Sequence, residues 1–253
     1  MFELSYLQIV ILIFAGIFVG FAKTGISTMG IFNAMLVTII FPAKMSVGIL
    51  LPMLIIGDII AVAYYRKKVI KNHLISLMPW ALIGVIGGYL VLLKVDNNQL
   101  KLLLGALICG LILLQVLRDF MGARFDSKFP SSMWFIASMG ILAGFATTIG
   151  NVSGAIIAIY LFAKQVPKQE FIGTGAWFFL LVNLVKVPFF IHLGMITSDS
   201  LLIGIWTLPL IAIGAYAGIK LLPLIPQVYF QRLVLLLGAF GAVKLLVEGI
   251  VIN

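Results

Sequence analysis

Ten apolar runs, most of them long enough to cross a bilayer and some about half that length, limit what this chain can become. They cover approximately residues 4–22, 26–41, 46–65, 73–93 and 101–117, then 133–149, 151–163, 171–191, 201–221 and 233–252. A helix rises about 1.5 Å per residue, so roughly 20 residues cross a hydrocarbon layer of ~30 Å. A soluble domain is about half apolar and a quarter charged. Here 63% of 253 residues are hydrophobic and 10% charged, more apolar surface than a soluble fold of this size could hide. A transmembrane barrel would need alternating apolar and polar positions, whereas these runs are continuous. The expected fold is an all-α polytopic membrane protein with eight to ten membrane segments, short broken or re-entrant helices among them.

Two of the runs are interrupted by related polar, glycine-punctuated sequences. Residues 20–30 read GFAKTGISTMG, and residues 144–154 read GFATTIGNVSG. Other landmarks repeat in the same order. Gly16 and Gly20 correspond to Gly140 and Gly144, Pro42 and Gly48 to Pro167 and Gly173, and Pro79, Gly84 and Gly88 to Pro209, Gly214 and Gly218. Shared order over both halves predicts an internal duplication. The boundaries are 1–117 for a first membrane repeat, 118–132 for a cytoplasmic linker and 133–253 for a second repeat.

Five apolar runs in each half is an odd number, so the repeats are expected to be inverted. Charge supports that topology. Arg66, Lys67, Lys68, Lys71, Arg118, Arg124, Lys128, Lys164, Lys168 and Lys220 fall on one side, against mainly Lys44, Lys94 and Lys101 on the other. Cytoplasmic loops are the basic ones, which puts both termini outside the cytoplasmic membrane. The same distribution explains the formal charge of +9 without nucleic-acid binding. No basic residue precedes Lys23, so the first run is expected to stay as a membrane segment rather than be cleaved.

In the second half the runs 133–144 and 154–163 look like two half-helices meeting near the midplane. Non-helical backbone at that depth is tolerated only where protein or a wet cavity satisfies it. At the start of each returning helix, unpaired N–H groups and the positive dipole end face the gap, which is an anion site in outline. Lys23, Thr24, Gly25, Ser27 and Thr28 would contribute from the first break, and Thr147, Thr148, Gly150, Asn151 and Ser153 from the second. The bland alternative is that the glycines serve only helix packing at small-xxx-small spacing. Packing is the preferred reading for Gly84 with Gly88 and for Gly214 with Gly218. It does not account for Lys23 or the hydroxyls.

Three more polar residues interrupt apolar runs: Asp58, Asn183 at the matching position of the second half, and Lys186 one turn beyond it. A charge at bilayer depth costs a few kcal/mol, so each should face protein or water. Asn183 and Lys186 are substrate-binding candidates. Asp58 is either a coupling site for a proton or another ion, or the fixed counter-ion of Lys23 or Lys186. Asn33 could line the same cavity. His192 and the four tryptophans read as interfacial or packing residues.

The paired Gly-Phe-Ala motifs, each followed by a Pro and a Gly in a duplicated apolar frame, resemble the sulfite exporter TauE/SafE family. The resemblance covers nearly the whole chain. It implies a secondary transporter of sulfur-containing anions such as sulfite, sulfoacetate or toluenesulfonate, with the breaks at 20–30 and 144–154 as the site. Thr147 stands where the first break has Lys23, so a symmetric pair of lysines is not implied. The residues alone also permit carboxylates, phosphate or chloride. No cofactor or metal is expected, because the single Cys109 and the histidines His73 and His192 make no ligand set. The expected partners are the small anion, H+ or another coupling ion, and the lipid bilayer. No HExxH, serine–histidine set or Walker-type loop suggests an enzyme or an ATP-driven pump.

Overall fold

The computed structural model describes residues 4–25, 29–121 and 132–221, with the isolated positions 243 and 247. Every regular element among the described residues is a helix. In chain order they are α1 (Tyr6–Thr24), α2 (Gly30–Thr38), α3 (Ala43–Tyr65), α4 (Lys71–Lys94), α5 (Asn97–Met121), α6 (Met133–Gly150), α7 (Gly154–Ala163), α8 (Lys168–His192), α9 (Ser198–Trp206) and α10 (Leu208–Leu221). Helices α1, α3, α4, α6 and α8 are long and apolar enough to cross a membrane, and α9 with α10, bent by 48°, make a sixth span if taken together. The segments of α2, α5 and α7 are shorter apolar helices. The molecule is an all-α polytopic membrane protein. Residues 122–131 of the expected linker and the apolar run 233–252 lie outside the described residues, apart from positions 243 and 247.

One expectation is corrected. The run from 133 does not stop at Gly144, because α6 continues unbroken to Gly150. Glycine is a poor helix former in water and reads as a break on that ground. In this fold it is a point of close approach, since a Cβ on Gly144 would overlap the Ala81 carbonyl. Of these two runs only the second is a half-helix, α7 at 10 residues. Likewise α1 has 19 residues and α2 has 9, so each hairpin joins a span-length helix to a short returning one.

Contact between the helices is organised by the glycines. Gly20 of α1 meets the Ile211 carbonyl of α10, and Gly214 of α10 meets the Ile17 carbonyl of α1. Gly84 of α4 meets the Ile141 carbonyl of α6, and Gly144 of α6 meets the Ala81 carbonyl of α4. Gly16 lies against Thr207 and Gly218 against Phe21, while Gly140 lies against Leu77 and Gly88 against Thr148, so contacts advance in the same direction along both partners and each pair runs parallel. Leaving out the side chain lets the backbones touch, the usual device where lipid gives no hydrophobic drive between helices. Each pair therefore joins a helix from before residue 118 to one from after residue 132.

Helix α3 sits at the centre and α4 at the periphery, with 72% and 28% of their most apolar windows buried. Helix α8 packs beside α3. Every residue of α7 except Phe162 is buried, so this short helix is shielded from lipid by protein. At one end of the bundle the Ile70 N–H donates to Thr174 Oγ1 at 2.9 Å, and His73 Nδ1 and Tyr160 OH are 3.2 Å apart. These contacts bring the loop carrying Arg66, Lys67 and Lys68 to the loop between Lys164 and Lys168. At the opposite end the Lys44 N–H donates to Asn97 Oδ1 at 3.0 Å, and an exposed His192 lies 3.0 Å from Tyr89 OH.

Candidate functional site

The site begins where α1 and α6 end. In the last turn of α1 the Thr24 hydroxyl donates to the Gly20 and Ala215 carbonyls at 3.1 and 2.9 Å, and Tyr65 OH donates to the Thr24 carbonyl at 3.2 Å. This turn is therefore held by α10 and α3 rather than open to water. Helix α6 ends on Asn151, which takes the left-handed conformation at φ 58°. Asparagine tolerates that region better than most non-glycine residues. The turn directs the Asn151 side chain inward, where Nδ2 donates to the Val47 carbonyl at 3.2 Å.

The two hairpins converge. A Cβ built on Gly30, the first residue of α2, would lie 3.5 Å from the Asn151 carbonyl oxygen. Between them is a cavity of about 30 Å³ whose polar lining comes from Lys23, Asn33, Thr147, Asn151, Ser153 and Asn183, with Gly30 and Gly154 at the starts of α2 and α7. That volume holds a water or two.

Behind the cavity runs a continuous polar chain. Lys23 Nζ is 2.8 Å from Asp58 Oδ1, with the lysine side chain 9% exposed and the aspartate fully buried. The ammonium also sits 4.4 Å from the Phe179 ring centroid, a favourable cation–π placement. Asn183 Nδ2 donates to Asp58 Oδ2 at 2.7 Å, while Asn183 Oδ1 accepts from Lys186 at 3.1 Å. Lys186 Nζ donates further to Asn151 Oδ1 at 2.6 Å and to the Thr147 carbonyl and hydroxyl oxygens at 2.8 and 3.2 Å. An ammonium has three protons to give, so the protein itself saturates Lys186. Lys23 has one carboxylate oxygen and a ring face, and it borders the cavity.

A family model described as "Sulfite exporter TauE/SafE" matches residues 9–245. The chain belongs to the TauE/SafE family. No curated protein and no solved structure matches it. Membership makes this a membrane protein of a family that implies anion or sulfite transport, and a non-enzymatic role fits that family.

Within this TauE/SafE chain the structure brings together Lys23, Thr147, Asn151, Ser153 and Asn183 around one cavity. Asp58 and Lys186 stand one layer back and reach it through Asn183 and Asn151. Thr24 and Thr148 do not line it. The Thr148 hydroxyl donates to the Gly144 carbonyl at 2.8 Å, and Thr24 is engaged with α10. Gly150 faces α5, where a Cβ would strike the Leu104 side chain, so it serves packing. Gly25 caps α1 without bordering the cavity. Ser27 and Thr28 lie outside the described residues. Asp58 is ion-paired with Lys23, an arrangement that both readings of this residue share.

Sequence reasoning missed Phe179. The signal was present, because residues 172, 176, 179, 183 and 186 follow the spacing of a single helix face. Once Asn183 and Lys186 point inward, Phe179 must do so too. Its counterpart by the repeat offset is Leu54, which also lines the cavity.

Proposed function

We propose that this protein is a secondary carrier of a small sulfur-containing anion, sulfite or an organosulfonate such as sulfoacetate, working by alternating access at a site near the bilayer midplane. The observation that carries the proposal is the convergence of both hairpins on one cavity bordered by Lys23. A sulfonate group is a compact negative charge with three acceptor oxygens. It suits an ammonium, a serine hydroxyl and the N–H groups at the starts of α2 and α7. Outward movement is the direction in the family's description.

The mechanism we favour uses two inverted repeats. The reciprocal glycine contacts of α1 with α10 and of α4 with α6, and the facing positions of Asp58 and Asn183, support that relation. The two basic loops that meet at one end support placing that end in the cytoplasm and the amino terminus outside. An incoming anion would compete with the Asp58 carboxylate for Lys23 before the cavity widens to receive it.

Counterflow in proteoliposomes tests the carrier reading. Labelled sulfite or sulfoacetate should enter faster when the lumen holds the same anion unlabelled, whereas a channel would show flux without that stimulation. Lys23→Ala should lower anion affinity by tenfold or more, since a charge-assisted contact is worth about 1.5–3 kcal/mol. Unchanged binding to the folded variant would remove Lys23 from the site.

Asp58 is proposed as the coupling group. Its neighbours are Lys23, Asn183 and, further off, Lys186. Protonating the carboxylate releases Lys23, so anion binding should strengthen as pH falls. Asp58→Asn should keep binding and transport while flattening that pH dependence. Loss of folded protein in this variant would instead mark a fixed structural pair.

A further inference from the structure

Lys186 is held unlike the lysine of an ordinary buried ion pair. Its ammonium meets only neutral oxygens: Asn151 Oδ1 at 2.6 Å, the Thr147 carbonyl at 2.8 Å, Asn183 Oδ1 at 3.1 Å and the Thr147 hydroxyl at 3.2 Å. The Phe190 ring covers another side, with its centroid at 5.1 Å. Asp58, the carboxylate of the polar chain, is taken by Lys23 and Asn183 instead. Buried charges are usually paired with an opposite charge, so a different stabiliser is needed here. The last turn of α6 provides it, because Thr147 lies at the helix C-terminus, the negative end of the helix dipole.

Four oxygens converge on a group with three protons. A cage with one more acceptor than the ammonium has protons suits a spherical ion at least as well. Carbonyl oxygens at the broken end of a membrane helix are a donor set by which transporters hold an alkali cation. The separations of 2.6–3.2 Å exceed the roughly 2.0–2.6 Å of Mg2+ and Ca2+. Neutral ligands at this spacing fit a large ion of single charge. The two halves of the chain also differ at this point. Position 61, the counterpart of 186 at the offset relating Asp58 to Asn183, is a fully buried alanine, and Thr147 stands where the first half has Lys23.

We propose that these four oxygens form a monovalent-cation site whose resident ion is the Lys186 ammonium, so that the protein carries its own cation and moves its anion without Na+ or K+. Thr147, Asn151 and Asn183 all line the cavity, which puts the fixed charge directly behind the wall where an anion would rest. Lys23 and Asp58 offset each other, so Lys186 gives this region its excess positive charge. The cage stands on geometry, and its link to transport rests on reading the cavity as an anion site. The proton on Asp58 is then the driving ion that remains.

Lys186→Ala empties the cage, and propylammonium replaces the atoms removed. The melting temperature of the purified variant should rise with the logarithm of propylammonium, ammonium or K+ concentration, each added as chloride. 1-Propanol, similar in size but uncharged, should not raise it. Lys186→Met, whose side chain still fills the space, should respond to none of them. Propylammonium should also improve sulfite affinity of Lys186→Ala by about tenfold or more over 1-propanol. In proteoliposomes the native protein should run sulfite counterflow at one rate in Na+, K+ and choline media. Rescue by 1-propanol equal to that by propylammonium would reduce Lys186 to packing and overturn the proposal. So would stimulation of the native protein by Na+ or K+. Failure of Lys186→Ala to fold even when extracted in propylammonium counts as failed rescue. Melting temperatures need no anion, so the cage stands or falls by them alone. A rescued variant whose native parent binds no anion would keep the cage and remove the anion site.

Discussion

Lys186→Met should abolish anion binding and lower the melting temperature of the purified protein, although Lys186 does not border the cavity. The side chain is fully buried, and its ammonium joins Thr147, Asn151 and Asn183. Methionine fills similar space but donates nothing, so the Asn151 and Asn183 amide oxygens lose their donor together. Asp58 also loses a nearby positive charge. Breaking a buried charged network by removing one partner costs about 3–5 kcal/mol. Both released amides form the cavity wall, so the wall that faces Lys23 should go with them. Lys186→Arg should fare nearly as badly, because the longer planar group cannot place its donors where one nitrogen now serves three residues. The check is to compare thermal unfolding with sulfonate binding for Lys186→Met and Lys23→Ala. Lys23→Ala should lose affinity with a modest change in melting temperature, and Lys186→Met should lose both. A stable Lys186→Met protein that still bound anion would refute the clamp role.

Gly144→Val is expected to prevent assembly of the native bundle. A Cβ at this position overlaps backbone atoms of Ala81, which no rotamer change can move aside, and valine adds two more carbons. Relief requires separating α4 from α6 along their whole contact. Overpacking a close interface costs about 1–3 kcal/mol where side chains can adjust, and here the obstacle is main chain. Gly110 on α5 provides the control, since a Cβ there meets nothing within 4 Å. Gly110→Ala should be neutral or slightly stabilising, as alanine favours helix over glycine. Yield of monodisperse protein in mild detergent would read both. Normal yield of Gly144→Val would mean that the two helices are less tightly apposed than described above.

The membrane class was legible because hydrocarbon allows so few solutions to the backbone hydrogen-bond problem. The inward position of Asp58, Asn183 and Lys186 was legible for the same reason, since polar groups at that depth must find protein. The role of Gly144 was not, because a helix-breaking residue in water and a close-packing residue in a membrane are the same letter. Nor could sequence decide between neighbouring threonines. Thr147 and Thr148 project about 100° apart on a helix, so only one can face the cavity. The choice is made by α4, whose Gly88 receives Thr148. Asn33 stood out as polar in an apolar run, yet its place in the cavity wall beside Lys23 and Asn151 is visible only once the hairpins are assembled.

The glycine seams also set an order of events during synthesis. Gly16 and Gly20 are made well before the surface they fit, from Thr207 to Ala215, which follows only after α2 to α9. Until then α1 must wait in the lipid with its flat face uncovered, and α4 must wait for α6. Neither seam can be closed by helices that precede residue 118. A truncated or stalled chain would therefore carry two exposed adhesive stripes. Membrane quality control, or the insertion machinery itself, has to shelter the α4 stripe until α6 arrives and the α1 stripe until α10 does.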